Sequence, residues 1–598
     1  MEENKIINKF VDVVFAKNNI KYLILLFFIA FVLRSIAAVN ISPNADEMVH
    51  GTHALGIISS NKLQIMDQDA VWFYLTDLFY KIFGENLFGL RFMSILFGSL
   101  SIIIIYLIGK ELFNKRTALI ASFILTLSSY HISMTLAEMD TSMVFFVLVS
   151  IYFLIKAVRE KKNLNYFLSF SFLGIAIMIK QTALLFIPAF LIFILYYKLK
   201  NKEFNFKFKY FLYFVLIIFI AVIPILTFNY LLYQDKKLVD LQFSRFFGVG
   251  KETYQSIGAT LKPFRFNDLF FSYENHPPGL YEGIKFIYDY SLLILILGLI
   301  GLIISYKRNK EFTLLILLSF LIPFIFLSGT SLLAIHFVFA APLLTLFGAN
   351  FIDFLIVKTE NKKLKPKVIT YALLLIILIL SVISIEERGV FRGKNEITNL
   401  IEFKKDNIPE DSLVIADSRI YRGRTVLMFN DRHYLEASLL NDLSKAQDDL
   451  PGSIIPLNTY FIECVTDDCG WGTINSQPEF NKSMEDTVSF FKNNSKYLGT
   501  IKSNNKEDYF NIYNTNLNLK QNSLQLADST HSWFYYPVRY KGESFDDYNV
   551  SGFFNNFLDK IAHYILYLEI LITLMTPFYI VYLLFKEENE TEHYNPSI

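Results

Sequence analysis

Only two cysteines occur in 598 residues, Cys464 and Cys469, with four residues between them. So few thiols exclude a disulfide-built scaffold and an all-cysteine metal centre. Excess charge of either sign is also missing: 56 Lys and Arg stand against 55 Asp and Glu, a net of +1. Such a total says nothing by itself about nucleic acid, since what matters is where the charges sit; no nucleic-acid partner is expected. No glycine-rich turn follows a strand-like run, so a nucleotide fingerprint is lacking. Internal repeats and low-complexity tracts are absent as well.

Apolar residues, by contrast, are abundant. The chain is 53% hydrophobic and 17% aromatic, with mean hydropathy +0.38. Soluble domains do not reach that combination over such a length, so this is an integral membrane protein. Hydropathy windows pick out about twelve spans. They centre near 22–39, 92–109, 118–137, 142–157, 166–180, 182–197, 210–232, 289–305, 312–327, 330–356, 368–385 and 561–584. The fifth and sixth are short enough to form one broken or tilted pair.

Basic residues set the orientation. Lys5, Lys9 and Lys17 precede the first span, and Lys110, Lys115 and Arg116 follow the second. KAVREKK, KLKNKEFNFKFK, YKRNK and KTENKKLKPK follow the fourth, sixth, eighth and tenth. All fall on one side when both termini are cytoplasmic, as the positive-inside rule asks. The segments 40–91, 233–288 and 386–556 then lie outside. The chain divides into a transmembrane domain over 1–385, an extracytoplasmic α/β domain over 386–556, and a last membrane helix with a cytoplasmic tail over 557–598. The first apolar run is read as a span, not a cleaved signal peptide, since it is long, contains Arg34 and precedes no small-residue cleavage site.

In the external segment, DSLVIADS, NTYFIEC, KYLGTIK and DYFNIYN read as strands, and KSMEDTVSFFKNN has helical spacing. Both cysteines lie here, in ECVTDDCGW. No second Cys or His pair accompanies them, which favours a local disulfide over a metal site, with a free pair as the plain alternative.

Candidate chemistry begins at NISPNADEMVHGTHALGI, directly after the first span, where Asp46 and Glu47 are adjacent. Neighbouring residues diverge by about 100° on a helix and oppose one another on a strand. The two carboxylates therefore cannot form one symmetric pair, and different roles are expected. A solvated loop pair is the bland alternative. His50 and His53 follow within two helical turns and could share a face with Asp46. A second acidic pair, Glu138 and Asp140 in LAEMDTSM, opens the fourth span. Lys180, in GIAIMIKQT, sits between the fifth and sixth spans, where an ionisable group is a functional candidate and a snorkelling lysine the simpler one. Carboxylates beside cations at one membrane depth point to transfer chemistry on a phosphorylated lipid.

The first part of the chain resembles the dolichyl-phosphate-mannose protein mannosyltransferases and the lipid A aminoarabinose transferases of the GT-C class. The resemblance runs through ADEMVHG, WFYLTDLFYKIFGENLFGLRFMSILFG, GKELFNKRTALIASFILTLSSYHIS, FLGIAIMIKQTALLFIPAFLI, NHPPGLYEGIKFIYDY and IHFVFAAPLLTLFGA. It covers most of residues 20–356, and the order and spacing of these segments carry it. It implies a GT-C-like, polytopic α-helical fold and transfer of a sugar from a polyprenyl-phosphate donor to an acceptor hydroxyl of a protein, lipid or glycan, with inversion. Asp46 is then the general base, Glu47 orients base or acceptor, and Asp140 completes the carboxylate cluster. Lys180, and after it Arg91, stabilise the departing phosphate. His50, Glu138, His276 in NHPPG and His336 join the substrate-contacting candidates. A rigid turn is the alternative for His276, packing for His336, and headgroup anchoring for Arg91. Where many members carry an arginine shortly before the second acid, this chain has MTLAEMD, with Glu138 near that place. No organic cofactor is called for, while Asp46, His50, His53 and Asp140 carry ligand atoms suited to Mg²⁺ or Mn²⁺.

Other readings fit less well. An oligosaccharyltransferase should show a WWDYG-like motif, and only CGWGT is found. A transporter or lipid flippase should show repeats and mid-span ionisable residues, whereas these acids cluster at span ends. A mere scaffold for residues 386–556 does not need acids in two separate loops.

Overall fold

The computed structural model describes residues 19–59, 63, 70–135, 139–201, 208–250, 252, 265–272, 277–330, 333–360, 366–420, 427–437, 440, 452–466, 469, 478–520 and 548–593. Helices dominate up to residue 387. They run α1 (Asn19–Asn40), α2 (Ala45–Ala54), α3 (Ala70–Phe83), α4 (Leu87–Leu112), α5 (Lys115–Thr126), α6 (Ser129–Ser133), α7 (Asp140–Glu160) and α8 (Asn163–Ile179). After a 3₁₀ turn at Gln181–Leu185 come α9 (Phe186–Lys200), α10 (Phe208–Ala221), α11 (Ile223–Lys236), α12 (Leu241–Phe247), α13 (Gly279–Arg308) and α14 (Lys310–Ser328). A second such turn, Ala334–Phe337, precedes α15 (Ala340–Glu360) and α16 (Pro366–Glu387).

Where hydropathy predicts about twelve spans, eight helices among the described residues are long and apolar enough to cross a membrane. The bent pair α10 and α11 makes a ninth when taken as one span. Two of the differences are local. The 118–137 window is split into α5 and α6, because Ser128 leaves the helix and its hydroxyl accepts the His131 N–H to start a new one. The 166–180 window yields α8, which has 17 residues.

Position in the bundle follows from what each helix hides. The apolar windows of α4 and α7 are 89% and 94% buried, so these two form the centre. Those of α1 and α13 are each 28% buried, which leaves most of their apolar surface for lipid. Helices α13 and α15 approach through Gly298, Gly301 and Gly348, and a Cβ added at Gly301 would lie 1.9 Å from the Phe347 carbonyl oxygen. Without a hydrophobic drive between lipid-immersed helices, small residues of this kind allow the backbones to meet. Helix α13 bends at Ser291, and the Tyr290 carbonyl accepts from the Ser129 hydroxyl at 2.7 Å.

Opposite the Asp46 end, the bundle is tied by ion pairs. Asp353 accepts from Arg116 at 2.6 Å and Arg308 at 3.2 Å, joining α5, α13 and α15. Lys156 pairs with Glu587 on the last helix, α19 (Phe553–His593), and Lys110 donates to the Glu587 carbonyl at 3.0 Å. Between α16 and α19 lie α17 (Glu396–Asn407) and α18 (Pro478–Asn494).

The segment between α16 and α19 builds a five-stranded sheet in the order β2-β1-β3-β5-β4. Its strands are β1 (Leu413–Ala416), β2 (His433–Glu436), β3 (Ile454–Cys464), β4 (Lys496–Lys502) and β5 (Asp508–Lys520). Strand β1 pairs in parallel with β2 and β3, while β5 pairs antiparallel with β3 and β4. The expected strands and helix appear at their places. Strand β2 and helix α17 were not anticipated: β2 has four residues, too few for a periodicity to show. Phe461 of β3 stacks on Phe491 of α18 with centroids 4.2 Å apart, fixing helix to sheet. Cys464 and Cys469 form a disulfide at the end of β3.

Candidate active site

Helix α2 explains the adjacent acids. Asn44 leaves extended backbone and caps the helix, its side chain accepting the Glu47 N–H at 2.7 Å, and Glu47 reaches back to the Asn44 N–H at 3.3 Å. This is a capping box, legible as Asn followed three residues later by Glu. It turns Glu47 inward, where it is fully buried, and leaves Asp46 on the first turn and partly exposed. The helix N-terminus favours both negative charges.

Glu47 meets Arg91. Arg91 Nε donates to Glu47, and Nη2 donates to Glu47 Oε2 at 2.8 Å. Nη1 donates to the carbonyls of Ala38 at 2.5 Å and Ile41 at 2.8 Å. Both side chains are wholly buried. The guanidinium fork is thus taken up by a carboxylate and two carbonyls, as an internal clamp. Glu47 is its counter-charge.

His50 and His53 lie deeper along α2 among aromatic rings. His50 sits at the edge of Trp72 and Phe73, with centroids 6.4 and 6.1 Å away, and His53 is 6.4 Å from Phe73. Both are buried, whereas Asp46 is not. The suggested ligand set of Asp46, His50, His53 and Asp140 is not assembled: among the described residues, no three His, Cys, Asp or Glu come together in a way that could hold a metal.

Asp140 belongs to a different cluster. It is the first residue of α7, preceded by Met139, which offers no side-chain cap. Lys180 ends α8, and its extended backbone turns the chain into the 3₁₀ segment that follows. Its Nζ lies 2.5 Å from Asp140 Oδ2. His336, in the turn before α15, places Nδ1 3.2 Å from the same oxygen and 3.3 Å from Lys180 Nζ. Two helices and a turn thus converge on one carboxylate oxygen. Asp140 and Lys180 are buried, whereas the His336 side chain is 17% exposed and forms the open edge of the cluster. Packing, the simpler expectation for His336, accounts for only part of its surroundings.

One buried pair escaped the sequence reading. Arg34, in α1, donates to the Ala30 carbonyl at 3.1 Å, and Nη2 lies 2.6 Å from His131 Nδ1. Gly98 makes room, since a Cβ there would lie 3.0 Å from Arg34 Nε and 3.1 Å from Thr141 Cγ2. The arginine within an apolar run was the available signal. Glu138 and His276 lie outside the described residues.

Residues 67–228 match the family model of the dolichyl-phosphate-mannose-protein mannosyltransferases. The chain shares its fold with ArnT from Cupriavidus metallidurans over 83% of its own length and 98% of that one, with TM-score 0.55 at 11% identity for the apo structure. The fold is thus of the GT-C type. Its GT-C fold also matches ArnT bound to undecaprenyl phosphate, with TM-score 0.52, 11% identity and the same coverage of 83% and 98%. An uncharacterised protein of Aquifex aeolicus is 27% identical over 172 residues, 28% of this chain and 34% of that protein. YkcB of Bacillus subtilis, provisionally described as a mannosyltransferase, is 29% identical over 132 residues, 22% of this chain and 18% of its own. The match therefore spans 34% or less of the length of these curated relatives.

Proposed function

We propose that this GT-C chain is an integral membrane glycosyltransferase that moves a sugar from a polyprenyl-phosphate donor to an acceptor hydroxyl on the extracytoplasmic face. The observation that carries the reading is the convergence of Asp140, Lys180 and His336 at the same end of the bundle as Asp46. The family match over 67–228 and the undecaprenyl phosphate bound by ArnT support the donor class.

In this mechanism Asp46 accepts the proton of the acceptor hydroxyl as its oxygen bonds the anomeric carbon. The bond from that carbon to the phosphate oxygen breaks with inversion, and both its electrons leave with the polyprenyl phosphate. Lys180 and His336 face the growing phosphate charge, and Asp140 holds Lys180 in place. Glu47 and Arg91 set the height of α2 and touch no substrate. The basic residues near the span ends support cytoplasmic termini and an external site.

The test incubates membranes holding wild type or Asp46→Asn, equally expressed, with radiolabelled dolichyl- and undecaprenyl-phosphate sugars and native acceptors. Transfer by wild type that falls roughly 100-fold or more in Asp46→Asn is expected for loss of a general base. Full activity in the variant moves the base elsewhere. Consumption of no donor by folded wild type overturns the transfer reading in favour of transport.

A further inference from the structure

The connector between α1 and α2 is gripped from two sides. From the bundle, Arg91 donates to the carbonyls of Ala38 and Ile41. From the external domain, Asn395 Nδ2 donates to Val39 O at 3.1 Å and Ile41 O at 2.9 Å. The Asn395 N–H and the Thr398 hydroxyl also donate to Val39 O, at 3.2 and 3.0 Å. Asn504 Nδ2 donates to Asn40 O at 3.1 Å, and Asn40 Nδ2 donates to Val390 O at 2.8 Å. The Ser42 hydroxyl donates to Glu396 at 2.9 Å. Each carbonyl from Ala38 to Ile41 is thus held, and Asp46 follows on the next turn of chain.

Asn395 is central to this arrangement. It is fully buried, and its two side-chain atoms do different work. Oδ1 accepts the Thr398 N–H at 2.8 Å and caps α17, while Nδ2 grips the connector. Nothing in the stability of the external sheet requires the second task.

We infer that Asn395 is a positioning residue for Asp46: through Val39 and Ile41 it fixes the depth at which α2 presents its first-turn carboxylate. The external domain is then part of the transfer machinery and not a separate module. This rests on the reading of Asp46 as general base.

Asn395→Ser isolates the grip, because serine keeps a capping oxygen and deletes both Nδ2 bonds. Hydrogen exchange on the full-length protein in detergent should show peptides over 39–53 exchanging roughly 5- to 30-fold faster, the effect of one or two lost hydrogen bonds. Exchange of β3 and β5 should be unchanged. With the polyprenyl-phosphate sugar that wild type consumes, kcat should fall roughly 10- to 100-fold at constant donor KM. The same substitution on the Asp46→Asn background should cost nothing further, since its effect acts through that carboxylate. Unchanged exchange at 39–53, wild-type kcat, or equal losses on both backgrounds would each overturn the inference. Wild-type activity in Asp46→Asn alone overturns the base assignment instead, and the two failures are distinguishable.

Discussion

Lys180 Nζ lies 2.5 Å from Asp140 Oδ2, with both side chains almost wholly buried. They are 40 residues apart in the chain and meet because α8 ends where α7 begins. His336 shares the same oxygen from a third element. Removing one member strands a charge away from water, which typically costs about 3–5 kcal/mol. Lys180→Met and Asp140→Asn should each lower the midpoint of heat-induced loss of the monodisperse protein in detergent. The double variant should be more stable than either single one. Additive losses would mean the pair contributes no coupling.

The Arg91 clamp makes a sharper demand. Its fork serves one carboxylate and two carbonyls at once, and lysine, with a single ammonium, cannot reproduce that. Arg91→Lys and Arg91→Met should both destabilise the protein, by about 3–5 kcal/mol for the latter. Arg91→Lys should recover less than half of that loss. Near wild-type stability for Arg91→Lys would show that charge alone suffices.

Gly301 tests the approach of α13 to α15. Its missing Cβ faces the backbone of Phe347, which cannot swing aside as a side chain can. Gly301→Ala should destabilise by about 1–3 kcal/mol, as overpacking does. Gly393, with nothing near its missing Cβ, is the spatial comparison, although its φ of +107° brings a backbone strain of its own. Equal effects of the two substitutions, measured by heat stability, would argue against the close contact.

The disulfide bears on the five-stranded sheet alone. Closing so short a loop is worth about 2 kcal/mol in the chain-entropy account. Cys464→Ser with Cys469→Ser should raise exchange in β3 and β5 while leaving α4 and α7 protected. Loosening of the central helices instead would mean the sheet domain supports the bundle globally.

Composition and period are enough to read a polytopic helical protein, most of its spans, and a small sheet domain between residue 386 and the last helix. Apolar length and strand alternation are properties of neighbouring residues, so they survive without coordinates. The capping box at Asn44 and Glu47 is legible in the same way, as Asn followed three residues later by Glu. What the residues could not reveal was which acid finds which cation. Arg91 reaches Glu47 and Lys180 reaches Asp140 across 44 and 40 residues, and the opposite pairing is equally compatible with the spacing. Arg34 beside His131 and Asn395 beside Val39 are of the same kind, joined over 97 and 356 residues. Such contacts depend on which helices pack side by side and at what depth their ends meet. That is a property of the assembled bundle, because a buried polar group takes whichever partner packing brings within reach.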